Sequence, residues 1–204
     1  MSNYIPVTFC FKGSRDYVHG TDMFNKIIEL NKERFNGAEF IDIDMTVRSI
    51  ARTNMNMFES QSFNNNPSMP INANFSINSN GNRIDVLLVE NGDAINCKYE
   101  YNEEELEHAA VVQIEEKIIT LSNFSKYTLI EKIVALNKKL LNSLFPNHGG
   151  KWYFAKIKLR ELNLNTPVSA TIKLVFKKNL DFKLTDTIIY VEGEQVGNIY
   201  FSLL

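Results

Sequence analysis

Apolar and polar residues alternate through Val7-Thr8-Phe9-Cys10-Phe11, which is rich in β-branched and aromatic types and is predicted as a strand. Over residues 22–36 the period lengthens. Phe24, Ile27, Ile28 and Phe35 share one helical face with Asn31 between them, and Gly37 is placed to cap the helix C-terminus. Alternation returns in Phe40-Ile41-Asp42-Ile43-Asp44-Met45-Thr46-Val47, the pattern of a half-buried strand. A loop is predicted at 59–70 and strands near 71–77, 83–90 and 94–101, with Asn78–Asn82 and Asn91-Gly92 as turns.

The second half follows the same order. A strand is predicted across 109–120, then a helix from 127 to 145 with Ile130, Ile133, Val134, Leu140, Leu141 and Leu144 as its apolar stripe. Thr128 and Glu131 have capping-box spacing at its start, and Pro146-Asn147-His148-Gly149-Gly150 ends it. Strands near 151–162, 167–178, 183–191 and 195–203 complete this half, with Glu192-Gly193 turning the last hairpin. The two helices are also alike in residues. Lys26–Asn36 and Lys132–Asn142 agree at six of eleven positions at a constant offset of 106, about half the chain. The halves therefore read as copies of one unit, each β-α-β-β-β, divided into 1–102 and 103–204 and packed as one body. The acidic stretch Tyr101–His108 between them is expected to be a solvated linker.

Composition narrows the classes. The net charge is −2, from 22 Lys and Arg against 24 Asp and Glu, which speaks against a strongly basic nucleic-acid binder. No apolar run approaches the roughly 20 residues that span a bilayer, and residues 1–6 show no basic-then-apolar leader, so a soluble cytoplasmic protein is expected. Cys10 and Cys97 make no disulfide framework, and Cys10, within a predicted strand, is expected to be an inert core thiol. No Cys/His spacing reads as a metal site, and no cofactor motif is present. Asn occurs 25 times, clustering at 64–66 and 72–82 where it favours loops and turns.

A helix with a broad apolar stripe, followed by a run of antiparallel strands and then repeated, resembles the tandem (double) hot-dog fold. In that α+β family each unit wraps a curved antiparallel sheet around one central helix. A tandem ferredoxin-like RNA-binding protein is the competing reading. It requires a second helix before each final strand, and residues 160–204 carry no helical period.

The copies differ most where the chain enters the helix. The first reads Phe11-Lys12-Gly13-Ser14-Arg15-Asp16-Tyr17-Val18-His19-Gly20-Thr21-Asp22-Met23-Phe24-Asn25; the matched stretch of the second, Ile118–Thr128, has lost nearly all of the Arg, Asp, Tyr and His. His19 and Gly20 lie where unpaired helix amides stabilise a developing oxyanion. His19 is a residue type that can transfer a proton near neutral pH, Asp16 or Asp22 can orient it or activate water, and Tyr17 can donate a hydrogen bond. Arg15 can grip a phosphate or carboxylate. The purely structural alternatives are that Thr21 or Asp22 caps the helix, Gly13 and Gly20 make turns, and Arg15 and Asp16 form a surface pair.

What the resemblance implies is chemistry on acyl thioesters carried by coenzyme A or an acyl carrier protein, by a thioesterase or a dehydratase/hydratase-like enzyme, with no cofactor, nucleic acid or membrane partner. Homo-oligomers are common among such proteins. Asp16–Asp22 is similar, in residue types rather than spacing, to the Asp/His stretch of hydratase-type members and to the Asp-before-Gly-His loop of thioesterases. Dehydratase-type members oppose the His with an acid on the partner unit's helix, and Glu131 is the acid the second helix offers, its capping role being the alternative. A non-catalytic acyl-binding or assembly protein on the same fold is the other reading of this resemblance. His148 is expected in a loop, His108 in the linker, and Trp152 in the core or at an interface.

Overall fold

In the computed structural model, which describes residues 4–35, 40–59, 70–163 and 166–204, the chain divides into two units, Met1–Tyr101 and Asn102–Leu204. The first contains β1 (Tyr4–Val7), β2 (Phe11–Lys12), α1 (Gly20–Phe35), β3 (Phe40–Val47), β4 (Thr53–Glu59), β5 (Ala73–Ser79), β6 (Asn82–Ala94) and β7 (Lys98–Tyr99). Five of the strands form a sheet in the order β1-β4-β6-β5-β3, every neighbour antiparallel. The helical stripe is buried as its period requires: Phe24, Ile27 and Ile28 are all under a tenth exposed, and the Phe24 ring meets Phe75 of β5 edge-on at 5.5 Å. Burying a side chain of this size stabilises the unit by about 1.5–3 kcal/mol. Asn31, buried mid-helix, turns its amide back on α1 and donates from Nδ2 to the Ile27 carbonyl at 2.8 Å.

Four expectations for this half change, the first being that the strand predicted near 94–101 is reduced to β7. The strand predicted at 7–11 stops at Val7, and Cys10 lies between β1 and β2 rather than in a strand. Asn91-Gly92 is not a turn. Thr53 pairs with Ala94 but Met55 with Glu90, so these residues are the excess of a bulge that lets β6 run on for 13 residues, with Gly92 at φ +85°. β4 is an addition to the predicted strands: Asn and Met alternate in it and neither favours strands, although Met55 and Met57 are buried. The side chain of Phe35, the cap at Gly37 and most of the loop at 59–70 lie outside the described residues.

The second unit contains α2 (Glu103–Ala109), β8 (Val111–Gln113), β9 (Ile118–Leu121), α3 (Leu129–Leu144), β10 (Trp152–Leu162), β11 (Ile172–Leu180), β12 (Leu184–Val191) and β13 (Glu194–Leu203). Its strands are ordered β10-β13-β12-β11-β9-β8, again all antiparallel. Glu192-Gly193 turns the last hairpin as predicted, both residues at positive φ. β10 and β13 approach so closely that a Cβ at Gly197 would stand 1.9 Å from the Lys158 carbonyl oxygen. The capping box of α3 forms: the Thr128 side chain accepts from the Glu131 amide and the Glu131 carboxylate from the Thr128 amide. Ile130, Ile133, Val134, Leu140 and Leu141 of the stripe are buried.

The acidic stretch is not a solvated linker. It folds as α2, capped by Asn102, with Leu106 fully buried. Glu103 pairs with Lys138 of α3 at 3.1 Å, and Lys139 donates to the carbonyls of Glu107 and Ala110. Burial, reinforced by the charge of Glu103, pushes the Glu107 carboxyl above its ordinary range. A seven-residue helix with one apolar anchor leaves no stripe to read. The strand predicted over 109–120 is likewise broken, by α2 and by a turn at 114–117. Among the described residues no helix is long and apolar enough to cross a membrane.

Candidate active site at the entry of the first helix

The site is built on a ribbon that joins the two ends of the first unit. β2 and β7 pair in parallel, with Phe11 opposite Lys98 and Lys12 opposite Tyr99. The Phe11 amide donates to Cys97 O and the Gly13 amide to Tyr99 O, both at 2.9 Å. Immediately before the ribbon, Cys10 and Cys97 are joined by a disulfide across 87 residues. This overturns the expectation of an inert core thiol. Cys10, outside any strand, lies close enough to Cys97 for the covalent bond (Cα–Cα 4.7 Å).

The ribbon carries Lys12 into the interior. Its side chain is fully buried, which an ammonium tolerates only when an opposite charge and hydrogen-bond acceptors surround it. Nζ lies 3.1 Å from Thr21 Oγ1, 3.4 Å from Asp22 Oδ1 and 4.1 Å from the centre of the Tyr101 ring, with the Tyr99 ring at 5.8 Å. The Tyr99 hydroxyl donates to the same Asp22 oxygen at 2.8 Å. Two elements distant in sequence thus converge on the first turn of α1.

The loop before α1 is pinned by the Val18 amide, which donates to Ala51 O at 2.8 Å while Val18 itself is buried. That sets His19 at the helix entry, where its carbonyl accepts from the amides of Asp22 and Met23. Its Nδ1 lies 2.7 Å from Thr21 Oγ1. Thr21 Oγ1 in turn lies 3.3 Å from Asp22 Oδ1, and a carboxylate can only accept. With the hydroxyl proton on Asp22, the Thr21 lone pairs receive Lys12 and an N–H at His19 Nδ1; with it on His19 Nδ1, at the shorter of the two contacts, the imidazole accepts from Thr21. The first arrangement is the Nδ1-protonated tautomer, in which Nε2 is the basic nitrogen of the ring. The chain Tyr99–Asp22–Thr21–His19, with Lys12 inside it, orients an imidazole beside the first amides of a 16-residue helix.

The predicted residues divide. His19, Thr21 and Asp22 meet directly; α1 begins at Gly20, so Thr21 and Asp22 sit inside its first turn rather than at the cap position. Tyr17 is half-buried with its ring 6.4 Å from that of His19, and the Arg15 guanidinium lies 5.7 Å from the Tyr101 ring. Asp16 is on the surface, its carboxylate 3.9 Å from Arg52 Nε, an exposed pair worth little. Gly13 makes the turn after β2 at φ +59°. Lys12, Tyr99 and Tyr101 are additions that sequence reasoning misses. The available signal is the cysteine pair, since Lys12 and Tyr99 each stand two residues beyond a cysteine.

The second unit enters its helix differently. Glu131 already receives the amide and hydroxyl of Thr128 at 2.8 and 2.9 Å. Lys132 is buried and donates to the carbonyls of Phe124 and Val168, and burial pulls its ammonium pKa below the ordinary lysine range. His148 stacks 3.8 Å from Phe182 in the loop after α3, beside Phe145 and the buried Trp152.

No protein-family model and no curated protein matches the chain. Solved structures do. The TesB protein of Mycobacterium avium subspecies paratuberculosis is similar over 96% of this chain and 91% of its own, with a TM-score of 0.52 at 7% identity. The dehydratase domain of PpsC from Mycobacterium tuberculosis, solved in complex with C12:1-CoA, is similar over 98% and 92%, with a TM-score of 0.51 at 6% identity. At such identities the likeness is one of fold, and the fold is that of hot-dog thioesterase and dehydratase proteins. The tandem ferredoxin-like alternative is set aside.

Proposed function

We propose that the chain processes an acyl thioester at the entry of α1, with His19 moving the proton. The observation that carries this is the network that sets His19 Nδ1 2.7 Å from Thr21 Oγ1 at the helix entry, with Lys12 and Asp22 behind it; in the Nδ1-protonated tautomer Nε2 is the base. In hydrolysis, Nε2 takes a proton from water as the oxygen attacks the thioester carbon. The carbonyl oxygen gathers charge at the Gly20 and Thr21 amides, and His19 returns the proton to the departing thiolate. In dehydration the same nitrogen takes the α-proton and delivers a proton to the departing β-hydroxyl. Asp22 orients Thr21 and balances Lys12, Tyr17 flanks the imidazole, and Arg15 is the group suited to a phosphate or carboxylate of the carrier. Coenzyme A or an acyl carrier protein is the proposed carrier, supported by the acyl-CoA bound to the PpsC domain. Two hot-dog units in tandem and a cytoplasmic setting belong to the same reading.

The test is turnover of a panel of acyl-CoAs and hydroxyacyl-CoAs. His19→Ala is expected to lower it by about 10²–10⁴-fold, and Asp16→Ala to leave it unchanged. A His19→Ala protein as active as the parent removes the assignment. The non-catalytic reading has one observation in its favour: the network already balances its buried ammonium from within. It predicts acyl species retained through purification, seen by mass spectrometry, with no turnover.

A further inference from the structure

The Cys10–Cys97 bond is a covalent crossing between the segment that bears Lys12 and the one that bears Tyr99 and Tyr101. Among the described residues, the ribbon it precedes is two residues long on each strand, too short to hold its register alone. Cys97 is exposed and Cys10 half-buried, so the bridge lies near the surface of the unit rather than in its core.

We propose that Cys10–Cys97 is a thiol–disulfide exchange site whose oxidation state decides whether Tyr99 and Tyr101 are held on Asp22 and Lys12. The reactant class is a dithiol. Its first thiolate attacks Cys97 Sγ, the S–S bond breaks, and Cys10 leaves as a thiolate that takes up a proton. The second thiol of the reductant displaces Cys97 from the mixed disulfide, Cys97 takes the second proton, and the reductant departs as its own disulfide. Two electrons and two protons enter the protein. With the tether gone, segment 95–101 is retained by the Phe11 and Gly13 amide bonds and by Tyr99 on Asp22. These contacts and the Tyr101 ring over Lys12 are non-covalent, so under this proposal reduction lets the tyrosine side open more readily while α1 and the sheet stay folded.

Only the effect on turnover rests on the acyl-thioester reading; the assembly of the site is read separately. The oxidised protein is treated with dithiothreitol under native conditions, thiols are counted, and hydrogen–deuterium exchange is followed by mass spectrometry. Two thiols per chain are expected. Peptides covering 9–14 and 95–101 are expected to exchange at least about tenfold faster, with peptides from the interiors of α1 and α3 unchanged. The Cys10→Ser/Cys97→Ser protein should match the reduced protein and ignore dithiothreitol; should it not fold, the reduction series on the parent decides alone. No thiols without denaturant, or two thiols with unchanged exchange, overturns the proposal. Turnover absent in both redox states sinks the acyl-thioester reading and leaves the exchange result standing. Turnover equal in both states, with faster exchange in the reduced one, overturns the control of the site by the bridge.

Discussion

Replacing Lys12 by Met keeps the buried stem and removes the ammonium, so it isolates the charge at the centre of the site. With Nζ 3.4 Å from Asp22 Oδ1, two unit charges at an effective dielectric of 20 attract by about 5 kcal/mol. The Tyr101 face at 4.1 Å adds about 2 kcal/mol for a desolvated cation. Against these stands the desolvation of the ammonium, several kcal/mol, which the methionine no longer has to meet. Removing one partner of a buried pair normally costs about 3–5 kcal/mol, because the other charge is stranded. Here the Asp22 side chain is 13% exposed and keeps the Tyr99 and Thr21 hydroxyls, which places Lys12→Met near the lower end, about 3 kcal/mol. For a chain of this length that lowers the thermal midpoint by roughly 6–12 °C. Urea unfolding of the parent, Lys12→Met, Asp22→Asn and the double variant gives the coupling between the two positions. It should be about 2 kcal/mol, against a few tenths for the exposed Asp16–Arg52 pair treated in the same way. A coupling below about 0.5 kcal/mol at Lys12–Asp22 refutes the reasoning, since a charge that deep cannot be indifferent to its partner.

Asn137 occupies the position in α3 that Asn31 occupies in α1, but neither polar atom of its buried amide has a partner among the described residues. Asn137→Leu should therefore raise the urea midpoint, by about 1–3 kcal/mol of stability, and Asn31→Leu should gain less because it gives up the bond to Ile27; a destabilised Asn137→Leu contradicts this. Burial alone would raise the Glu90 pKa, but the amides of Arg52 and Thr53, with the Asn72 amide and Thr53 hydroxyl, hold it below the ordinary value. A depressed folded pKa contributes stability that is present above the unfolded pKa and lost as pH falls through the folded one. The stability difference between the parent and Glu90→Gln, measured by urea titration from pH 7 downward, should shrink through that acid range, and a constant difference speaks against it.

What is legible in the sequence follows from where information is local. Helix and strand periods are set by neighbours within a few residues, so α1, α3, β3 and the last four strands stand nearly where the pattern puts them. The Thr128–Glu131 box is legible for the same reason, since both partners lie within one turn. The elements that escape are those whose stability comes from elsewhere. β4 is a strand because β1 and β6 flank it, not because Asn and Met prefer one, and α2 is a helix because Lys138 and Lys139 receive it.

The same division runs through the site. Comparing the two copies picks out His19, Thr21 and Asp22, because a polar stretch present at one helix entry and missing at the other needs no knowledge of topology. It also picks out Asp16, which the fold leaves on the surface, since asymmetry marks a segment and not the direction of each side chain. Lys12 lies at the start of that segment but reads there as an ordinary strand lysine, and Tyr99 lies 87 residues further on. Pairing the two cysteines sets position 10 beside 97, and a parallel ribbon in that register puts 12 beside 99. Residue spacing alone then brings a lysine and a tyrosine together at the end of the ribbon, next to the helix entry that holds Asp22. The covalent link, which the structure shows and the two cysteines alone do not announce, thus points at the lysine and tyrosine that meet Asp22 at the helix entry.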